Sequence, residues 1–325
     1  MEKPKTFLYL SRADVEKIGP SMSEIIAQVE KVFQEKGAGK VEMPPKPGIH
    51  TRPDAFIHAM PASIPGLNAA GIKWVAGYPG NQQKGLPYIS GLLILNDPDT
   101  GFPLAVMDCT WITAKRTGAA TAVAAKYLAR RDSKSVGILA CGVQGRSNLE
   151  ALACLFSIAK VKAYDSHSEV ADRFAREMGT ALGVEIEVVR KAAHAVKNMD
   201  MVVTSGPILK HPTPTIPAGW LAAGSFASLV DYDSYWQGAA LREANKLSTD
   251  DLAQMAYTRR AGYFQDTPEP YADLGEIVAG KKPGRESDSE RNIAINLGLA
   301  LEDMATAILV FHKAQEKQMG VELPL

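Results

Sequence analysis

The sequence predicts an α/β protein in which a doubly wound parallel sheet is inserted into a discontinuous α+β domain. Three observations lead to this fold class. Apolar strand-like runs alternate with helical segments over residues 133–230, a rhythm typical of a parallel sheet. Residues 41–110 are rich in Pro and Gly and carry short apolar runs, the pattern of an antiparallel sheet. Residues 291–317 have apolar side chains at helical spacing and predict a long buried helix.

The outer domain is expected to contain two separate stretches of sequence. Residues 7–33 predict a short strand and a helix, the turn Asp97-Pro-Asp-Thr-Gly101 joins two strands, and residues 114–130 predict another helix. The C-terminal helix is too apolar to face water, and the nearest exposed sheet is the N-terminal one. We therefore expect the chain to return to that sheet. The predicted domain bounds are 1–115 plus 292–325 for the outer domain and 116–291 for the inserted one.

The inserted domain carries a motif at its first strand. The parallel strands are predicted at 135–140, 161–164, 184–189, 201–204 and 225–230. The first strand runs into a turn that contains Gly142 and Gly145, a helix follows, and the second strand ends at Asp165. This order is typical of a Rossmann dinucleotide site, in which the free N–H groups of the helix bind a pyrophosphate. The first glycine of the usual motif is Ala140 here, and a βαβ turn that binds no phosphate is the alternative.

The cofactor is expected to be NAD(H) rather than NADP(H). A carboxylate such as Asp165 accepts hydrogen bonds from a ribose diol and repels a 2′-phosphate. Gly142 would let the backbone approach the phosphates, and Gly145 would let the helix pack close to the strand. The full set of candidate cofactor-binding residues is Arg116, Thr117, Gly142, Val143, Gln144, Gly145, Asp165, Ser166, Thr204, Ser205 and Phe226.

Composition restricts the class of protein. The chain has 325 residues, and 36 basic residues balance 36 acidic ones, so nothing favours a nucleic acid or an anionic membrane as partner. Three cysteines without ligand-like spacing indicate a reducing compartment, and we expect a cytoplasmic protein. We find neither a signal-type apolar stretch at the N-terminus nor a run of about 18 apolar residues. The six histidines show no metal-ligand spacing, and no metal is expected.

Three basic side chains are candidates for substrate chemistry. Lys73 lies inside an apolar strand, where burial would lower its pKa and suit it to proton transfer near neutral pH. The alternative is a strand-edge lysine whose amine reaches water. Arg52 and Arg116 could bind a carboxylate through paired hydrogen bonds, and a surface ion pair is the alternative for each. Asp303 interrupts the apolar C-terminal helix and is a second catalytic candidate, whereas its neighbour Glu302 is expected to face solvent or cap a loop.

The sequence resembles the ornithine cyclodeaminase and mu-crystallin family across nearly its whole length. The motifs that carry this resemblance are Arg52 with Met60-Pro-Ala62, Gly71-Ile-Lys73, Gly85-Leu-Pro87, Leu95-Asn-Asp-Pro-Asp-Thr-Gly101, Lys115-Arg-Thr-Gly-Ala-Ala120, Cys141-Gly-Val-Gln144 and Gly298-Leu-Ala-Leu-Glu-Asp303. The resemblance implies a homodimer formed through the substrate-binding outer domain, and a Rossmann domain that binds NAD(H) or NADP(H). It also implies that Arg52 and Arg116 bind the substrate carboxylate and that Lys73 is the catalytic acid–base group. The candidate substrate-binding residues are Arg52, Met60, Lys73 and Arg116.

One departure from the family bears on the reaction. Members that cyclise ornithine are expected to carry an aspartate in a Gly-Gly-Asp or Gly-Ser-Asp element after the fifth strand, and this chain has Gly224-Ser225-Phe226. Asp231 and Asp233 lie nearby and are the candidates to replace that aspartate. The favoured hypothesis is an NAD(H)-dependent amino-acid dehydrogenase or imine reductase. The alternatives are a cyclodeaminase that recycles its NAD, and a cofactor-binding crystallin-like protein with little turnover.

Overall fold

The computed structural model describes residues 5–325, apart from the side chain of Gln82. Residues 1–4 lie outside the described residues. They include the start of the predicted outer domain and of the N-terminal segment in which we find no signal-type stretch. The chain divides into two compact units. The first contains the described residues up to Arg116 together with Leu299–Leu325, and the second is Thr117–Gly298. The fold is therefore α/β with an inserted Rossmann-like domain in a discontinuous outer domain, as the sequence predicts.

The first unit is a mixed sheet with helices on one face. Its helices and strands are β1 (Thr6–Leu10), α1 (Arg12–Ile18), α2 (Met22–Gly37), β2 (Gly48–Ile49), β3 (Phe56–Ile64), β4 (Ala69–Gly77), β5 (Ile89–Asn96), β6 (Pro103–Asp108), α3 (Thr110–Leu128, which continues into the second unit), α10 (Ala300–Glu316) and β15 (Val321–Pro324). Among the described residues the strand order is β15-β1-β6-β5-β4-β3-β2. Neighbouring strands from β6 to β2 are antiparallel, which confirms the pattern expected for residues 41–110.

One face of this sheet is buried by α10, which packs against β3, β4, β5 and α2. The side chains of α10 are apolar almost all round, and a helix of that kind must be covered by other elements. Successive side chains of β4 point to opposite faces of the sheet. Lys73 and Val75 are buried on one face, and Trp74 between them is half exposed on the other. The face opposite α10 therefore keeps apolar side chains at its surface.

The second unit is a parallel sheet with helices between its strands. Its elements are β7 (Ser135–Leu139), α4 (Val143–Leu155), β8 (Lys160–Tyr164), α5 (Ser168–Leu182), β9 (Ile186–Val188), α6 (Ala192–Val196), β10 (Met201–Thr204), β11 (Phe226–Leu229), α7 (Gly238–Leu241), β12 (Lys246–Thr249), α8 (Leu252–Arg260), β13 (Ala272–Asp273), α9 (Leu274–Val278) and β14 (Asn292–Ile295). The strand order is β13-β12-β14-β11-β10-β7-β8-β9 within the described chain. The sheet is doubly wound outward from β7, as expected for a Rossmann domain.

The C-terminal region differs from its prediction. The single helix expected at 291–317 is the strand β14 followed by α10, which begins at Ala300. β14 pairs in parallel with β11 and β12, so residues 292–295 belong to the second unit, and the predicted return at 292 comes too early. Gly298, with φ of +79°, provides the left-handed turn that separates strand from helix. No helix in the described part of the chain is long and apolar enough to span a membrane.

Candidate active site

Lys73 lies near the middle of β4 on the face that α10 covers. Its register partners are Met60 on β3 and Leu93 on β5, and directly paired residues in neighbouring strands point to the same face. All three side chains are buried, and that of Lys73 is 0% exposed. The position excludes the alternative in which the Lys73 amine reaches water at the edge of the sheet. It also places Met60 beside Lys73, although no sequence pattern indicated that pairing.

The first turn of α10 carries two buried carboxylates, and one of them pairs with this lysine. The Asp303 Oδ2 atom lies 2.6 Å from the Lys73 Nζ atom, and both side chains are fully buried. Acidic residues are favourable in the first turn of a helix because the macrodipole is positive there. Glu302 is buried as well, which corrects the expectation that it faces solvent or caps a loop. Only Asp303 is predicted from the sequence as a catalytic candidate, whereas in the structure both acids belong to one buried cluster.

Arg116 explains why two adjacent acids are buried together. Its Nε atom donates to Asp303 Oδ1 at 2.9 Å, and its Nη1 atom donates to Glu302 Oε2 at 2.7 Å. One guanidinium therefore compensates one oxygen of each carboxylate, while Lys73 compensates the other oxygen of Asp303. Arg116 lies in the second turn of α3, which begins at Thr110, so the expected helix start at 114 is too late. Buried charges require this kind of pairing with hydrogen bonds.

The electrostatics of the cluster favour proton transfer at Lys73. Burial lowers the pKa of Lys73 below its ordinary value of 10.5, the positive charge of Arg116 lowers it further, and Asp303 opposes both effects. The pKa of Glu302 is raised by burial, with Arg116 acting in the opposite direction. The Thr113 hydroxyl lies 3.4 Å from Lys73 Nζ and accepts a long hydrogen bond from it. An amine with a lowered pKa that is held by a carboxylate is suited to general acid–base catalysis.

Arg52 is not part of this buried cluster. It lies in the exposed segment between β2 and β3, and its Nη1 atom donates to the carbonyl of Thr51 at 2.6 Å. The structure thus brings Lys73, Arg116 and Asp303 together and leaves Arg52 at the surface of the same unit. Glu302 is the site residue that sequence reasoning missed. The available signal was two consecutive acids inside an otherwise apolar helix.

In the second unit, most candidate cofactor residues collect at one edge of the sheet. The strands β8, β7, β10 and β11 are neighbours and parallel, and Leu139 is in register with both Tyr164 and Thr204. Their carboxyl ends therefore lie side by side. The residues that follow those ends include the turn at 142–145, Asp165, Ser166 and Ser205. Successive strands add on opposite sides of β7, and ligands of open α/β sheets bind where the strand order reverses in this way.

The glycine turn is open at Gly142 and closely packed at Gly145. Gly142 is the residue before α4, and a Cβ atom added to it would meet no atom within 4 Å, so the backbone is open to a phosphate at this point. A Cβ atom on Gly145 would lie 2.5 Å from the carbonyl oxygen of Ala140, so this glycine permits close packing of helix and strand. Ala140 itself has φ of +70°, a left-handed conformation that favours glycine. Ala140 therefore has a backbone conformation that a glycine, the usual residue of this motif, adopts without steric cost.

The residues around the turn fit a nicotinamide dinucleotide. Asp165 follows β8, and its Oδ2 atom accepts a hydrogen bond from the Cys141 backbone N–H at 2.8 Å, which fixes the carboxylate against the turn. Each carboxylate oxygen has a second lone pair that a ribose hydroxyl can use. The Gln144 Oε1 atom, in the first turn of α4, is buried without a hydrogen-bond partner. A bound ligand with a donor group would satisfy that atom.

Two further candidate cofactor residues, Phe226 and Thr117, are buried. Phe226 is the first residue of β11 and fully buried, so it lies at the amino end of that strand, opposite the edge that carries the turn. The element Gly224-Ser225-Phe226 therefore leads into β11 and does not follow a fifth strand as expected, whereas Asp231 and Asp233 come after β11. Thr117 lies within α3 and is buried.

The family model for ornithine cyclodeaminase/mu-crystallin matches residues 7–318. The chain belongs to this family. An alanine dehydrogenase from Archaeoglobus fulgidus is 37% identical over 327 residues, which cover 97% of this chain and 98% of the relative. The family resemblance that the sequence motifs carry is therefore confirmed.

Solved structures of family relatives have the same fold. The Δ1-pyrroline-2-carboxylate reductase of Thermococcus litoralis, in complex with NADH and L-proline, matches with a TM-score of 0.89 and 37% identity over 98% of this chain and 100% of that one. An archaeal alanine dehydrogenase dimer with bound NAD matches with a TM-score of 0.88 and 37% identity, covering 99% of this chain and 100% of that one. These family members are oxidoreductases that act on amino or imino acids and bind a nicotinamide cofactor.

Proposed function

We propose that this chain is an NAD(H)-dependent oxidoreductase that interconverts an α-amino acid and its α-imino or α-keto acid. The observation that carries the proposal is the buried cluster of Lys73, Asp303 and Arg116, which combines a lysine suited to proton transfer with a guanidinium suited to a carboxylate. When bound, the nicotinamide supplies or accepts the hydride. The relatives with alanine dehydrogenase and pyrroline-carboxylate reductase activity support the same reaction class.

Each residue of the cluster has a proposed role. Lys73 donates a proton to the imine nitrogen, or accepts one from the amine in the reverse direction. Asp303 holds the Lys73 ammonium in place at 2.6 Å and keeps its pKa from falling further. Arg116 binds the substrate carboxylate in addition to the two acids of α10. Met60, in register with Lys73, contributes an apolar wall, and Arg52 remains proposed as a second carboxylate ligand.

The cyclodeaminase alternative requires an acid that accepts a second amine. Asp231 is fully buried and uses both carboxylate oxygens as acceptors, for the Thr204 hydroxyl and the Gly206 N–H. Asp233 accepts a hydrogen bond from the Thr267 hydroxyl. These contacts favour the reductase or dehydrogenase over the cyclodeaminase. Lys73, Arg116 and Asp303 together likewise favour an enzyme over a cofactor-binding protein with little turnover.

A panel of substrates tests the proposed reaction. We expect NADH oxidation, followed by absorbance, with cyclic imines or with α-keto acids supplied with ammonia or methylamine. L-Ornithine is expected to give no proline. Proline formation from L-ornithine without net change in NADH would support the cyclodeaminase instead. Tight NADH binding without turnover of any panel member would support the crystallin-like alternative.

Cofactor preference is proposed to depend on Asp165. Replacing Asp165 with Ser is expected to weaken NADH binding and to reduce discrimination against NADPH, because the carboxylate that accepts the ribose diol and repels a 2′-phosphate is lost. Dissociation constants of both cofactors, measured by fluorescence for the wild type and the variant, check this result. Glu169→Ser, an exposed acid in the first turn of α5, is the matched control. Equal or tighter binding of NADPH by the wild type would contradict the prediction.

We propose that the chain forms a homodimer through the sheet face opposite α10. Trp74, Leu92, Ile94 and Tyr9 expose more than a third of their surface on β4, β5 and β1, and Trp74 and Leu92 are direct register partners. Apolar patches of this kind indicate interaction surfaces. A family relative, the archaeal alanine dehydrogenase, is a dimer. The cytoplasmic location expected from the cysteines stays a prediction.

The replacement Trp74→Glu is expected to dissociate the dimer, because a carboxylate would be buried without a partner in the apolar interface. Sedimentation velocity over a range of concentrations measures the change. Tyr257→Glu, at a comparably exposed apolar residue on α8, is the control and should leave the dimer intact. A wild-type protein that sediments as a monomer would refute the proposal.

A further inference from the structure

Asp231 is a buried carboxylate to which the proposed reaction gives no role. It follows β11 and is 0% exposed. Its Oδ1 atom accepts a hydrogen bond from the Thr204 hydroxyl at 2.8 Å, and its Oδ2 atom accepts one from the Gly206 backbone N–H at 3.0 Å. The indole N–H of Trp236 donates to the same Thr204 hydroxyl at 3.2 Å. The Gly206 N–H can only donate, and the Thr204 hydroxyl, which accepts from Trp236, has its own proton to donate, so the ionised carboxylate satisfies both groups as a double acceptor.

The segment that Asp231 holds is the connection leaving β10, residues 204–206. On its other side this segment is bound to the end of β7. The Ser205 backbone N–H donates to the Leu139 carbonyl at 3.0 Å, and the Ser205 hydroxyl donates to the Ala140 carbonyl at 3.0 Å. Ala140 is the left-handed residue that leads into the glycine turn. Asp231 thus fixes a segment that also touches the start of the proposed dinucleotide site.

We propose that Asp231 is a positioning residue for NAD(H): its carboxylate sets segment 204–206, and through it the end of β7, in the conformation that binds the cofactor. This inference rests on the proposed cofactor site. It differs from a role as a substitute base, because both oxygens already accept hydrogen bonds from the segment. In Asp231→Asn one acceptor oxygen becomes an NH₂ donor, so either the Gly206 N–H loses its acceptor or the Thr204 hydroxyl must turn to accept. The segment then loses one of the two hydrogen bonds that it donates to Asp231.

The ionisation of Asp231 gives this role a pH dependence. Burial raises the pKa of Asp231 to about 7, the hydrogen bonds from Thr204 and Gly206 lower it, and the nearby Asp233 raises it. Tyr235 lies in the same surroundings, where burial and the charge of Asp231 raise the pKa of its phenol. Below neutral pH a proton on Asp231 replaces one acceptor site. NADH affinity of the wild type is therefore expected to fall as the pH decreases through about 7.

The test compares two aspartates of the same sheet. Asp231→Asn is isosteric and removes the double acceptor at the carboxyl edge. Asp200→Asn is the matched control, because Asp200 likewise accepts backbone and hydroxyl donors, from Lys134 and Ser135, at the amino end of β10. We expect Asp231→Asn to weaken NADH binding about tenfold above neutral pH and to abolish its pH dependence. Asp200→Asn should keep both the affinity and the pH dependence, although thermal stability falls.

Binding is measured by NADH fluorescence and by calorimetry with NAD, so the result does not depend on turnover. The positioning role would be overturned if Asp231→Asn bound NADH as tightly as the wild type, or if Asp200→Asn lost as much NADH affinity as Asp231→Asn. Either result would leave the cofactor site in place. If Asp231→Asn fails to fold, Thr204→Val removes the hydroxyl donor and leaves the carboxylate, and an unchanged NADH affinity in that variant would overturn the role. A wild type whose affinity is constant across neutral pH would do the same. A wild type that binds neither NADH nor NAD would contradict the cofactor site itself.

Discussion

Replacement of Lys73 by alanine is expected to lower kcat by about 10²–10⁴-fold, the usual contribution of positioned proton transfer. NADH binding should stay close to that of the wild type, because the glycine turn and Asp165 belong to the second unit and Lys73 belongs to the first. The amine of Lys73 is the group whose lowered pKa allows it to exchange protons near neutral pH. Steady-state kinetics and a separate NADH titration measure the two effects.

Two further variants separate chemistry from structure. Lys73→Met keeps an unbranched side chain in the buried position and should be as inactive as Lys73→Ala, with less loss of packing. Asp303→Asn keeps the lysine but removes the charge that raises its pKa, so the alkaline limb of the pH–rate profile should move to lower pH. If Lys73→Met retained most of the wild-type kcat, the lysine would be a structural residue of the strand, and the proposed site would be wrong.

The sequence was sufficient to predict the two-part architecture, because each part has its own periodicity. The alternation of strands and helices in the central region, and the glycine turn before Asp165, depend on local patterns that the structure retains. β14 was missed because Asn292–Ile295 directly precedes a helix of similar hydropathy. Only its pairing with β11 and β12, which lie far away in sequence, makes it a strand. Boundaries set by long-range pairing cannot be obtained from local periodicity.

The site shows the same division between local and distant information. Lys73 was a candidate because lysine is rare in apolar strands, and Asp303 because acids are rare in apolar helices. Their pairing could not be predicted, since it requires α10 to cover β4. Local periodicity places Glu302 at the solvent or at a loop, because adjacent helical positions point in different directions. The guanidinium of Arg116 is what makes the burial of both acids tolerable, and its place in the second turn of α3 was known only from the structure.

Removal of Arg116 is expected to destabilise the protein more than any other single change in the cluster. In Arg116→Ala the Glu302 carboxylate loses its 2.7 Å ion pair, and Asp303 keeps only Lys73. Leaving a buried charge uncompensated costs about 3–5 kcal/mol of the free energy of unfolding. Urea denaturation, followed by intrinsic fluorescence, measures the loss. If Arg116 only bound the substrate, Arg116→Ala would raise KM and leave the free energy of unfolding almost unchanged. Measuring both quantities therefore distinguishes a substrate ligand from a cation that stabilises the fold.

The pH dependence of that loss has a definite sign. Burial already raises the pKa of Glu302 above its ordinary value of 4.5, and removing Arg116 raises it further, because the guanidinium is the group that lowers it. A carboxyl group whose pKa is higher in the folded state than in the unfolded state favours folding at low pH and loses that contribution as the pH rises. The loss of unfolding free energy in Arg116→Ala should therefore be smaller at mildly acidic than at mildly alkaline pH.

Adding Glu302→Gln to Arg116→Ala should recover part of the stability at alkaline pH, since the unpaired charge of Glu302 is removed while the shape of the side chain is kept. A deficit that is the same at both pH values, and that Glu302→Gln does not reduce, would contradict the buried ion pair as its cause.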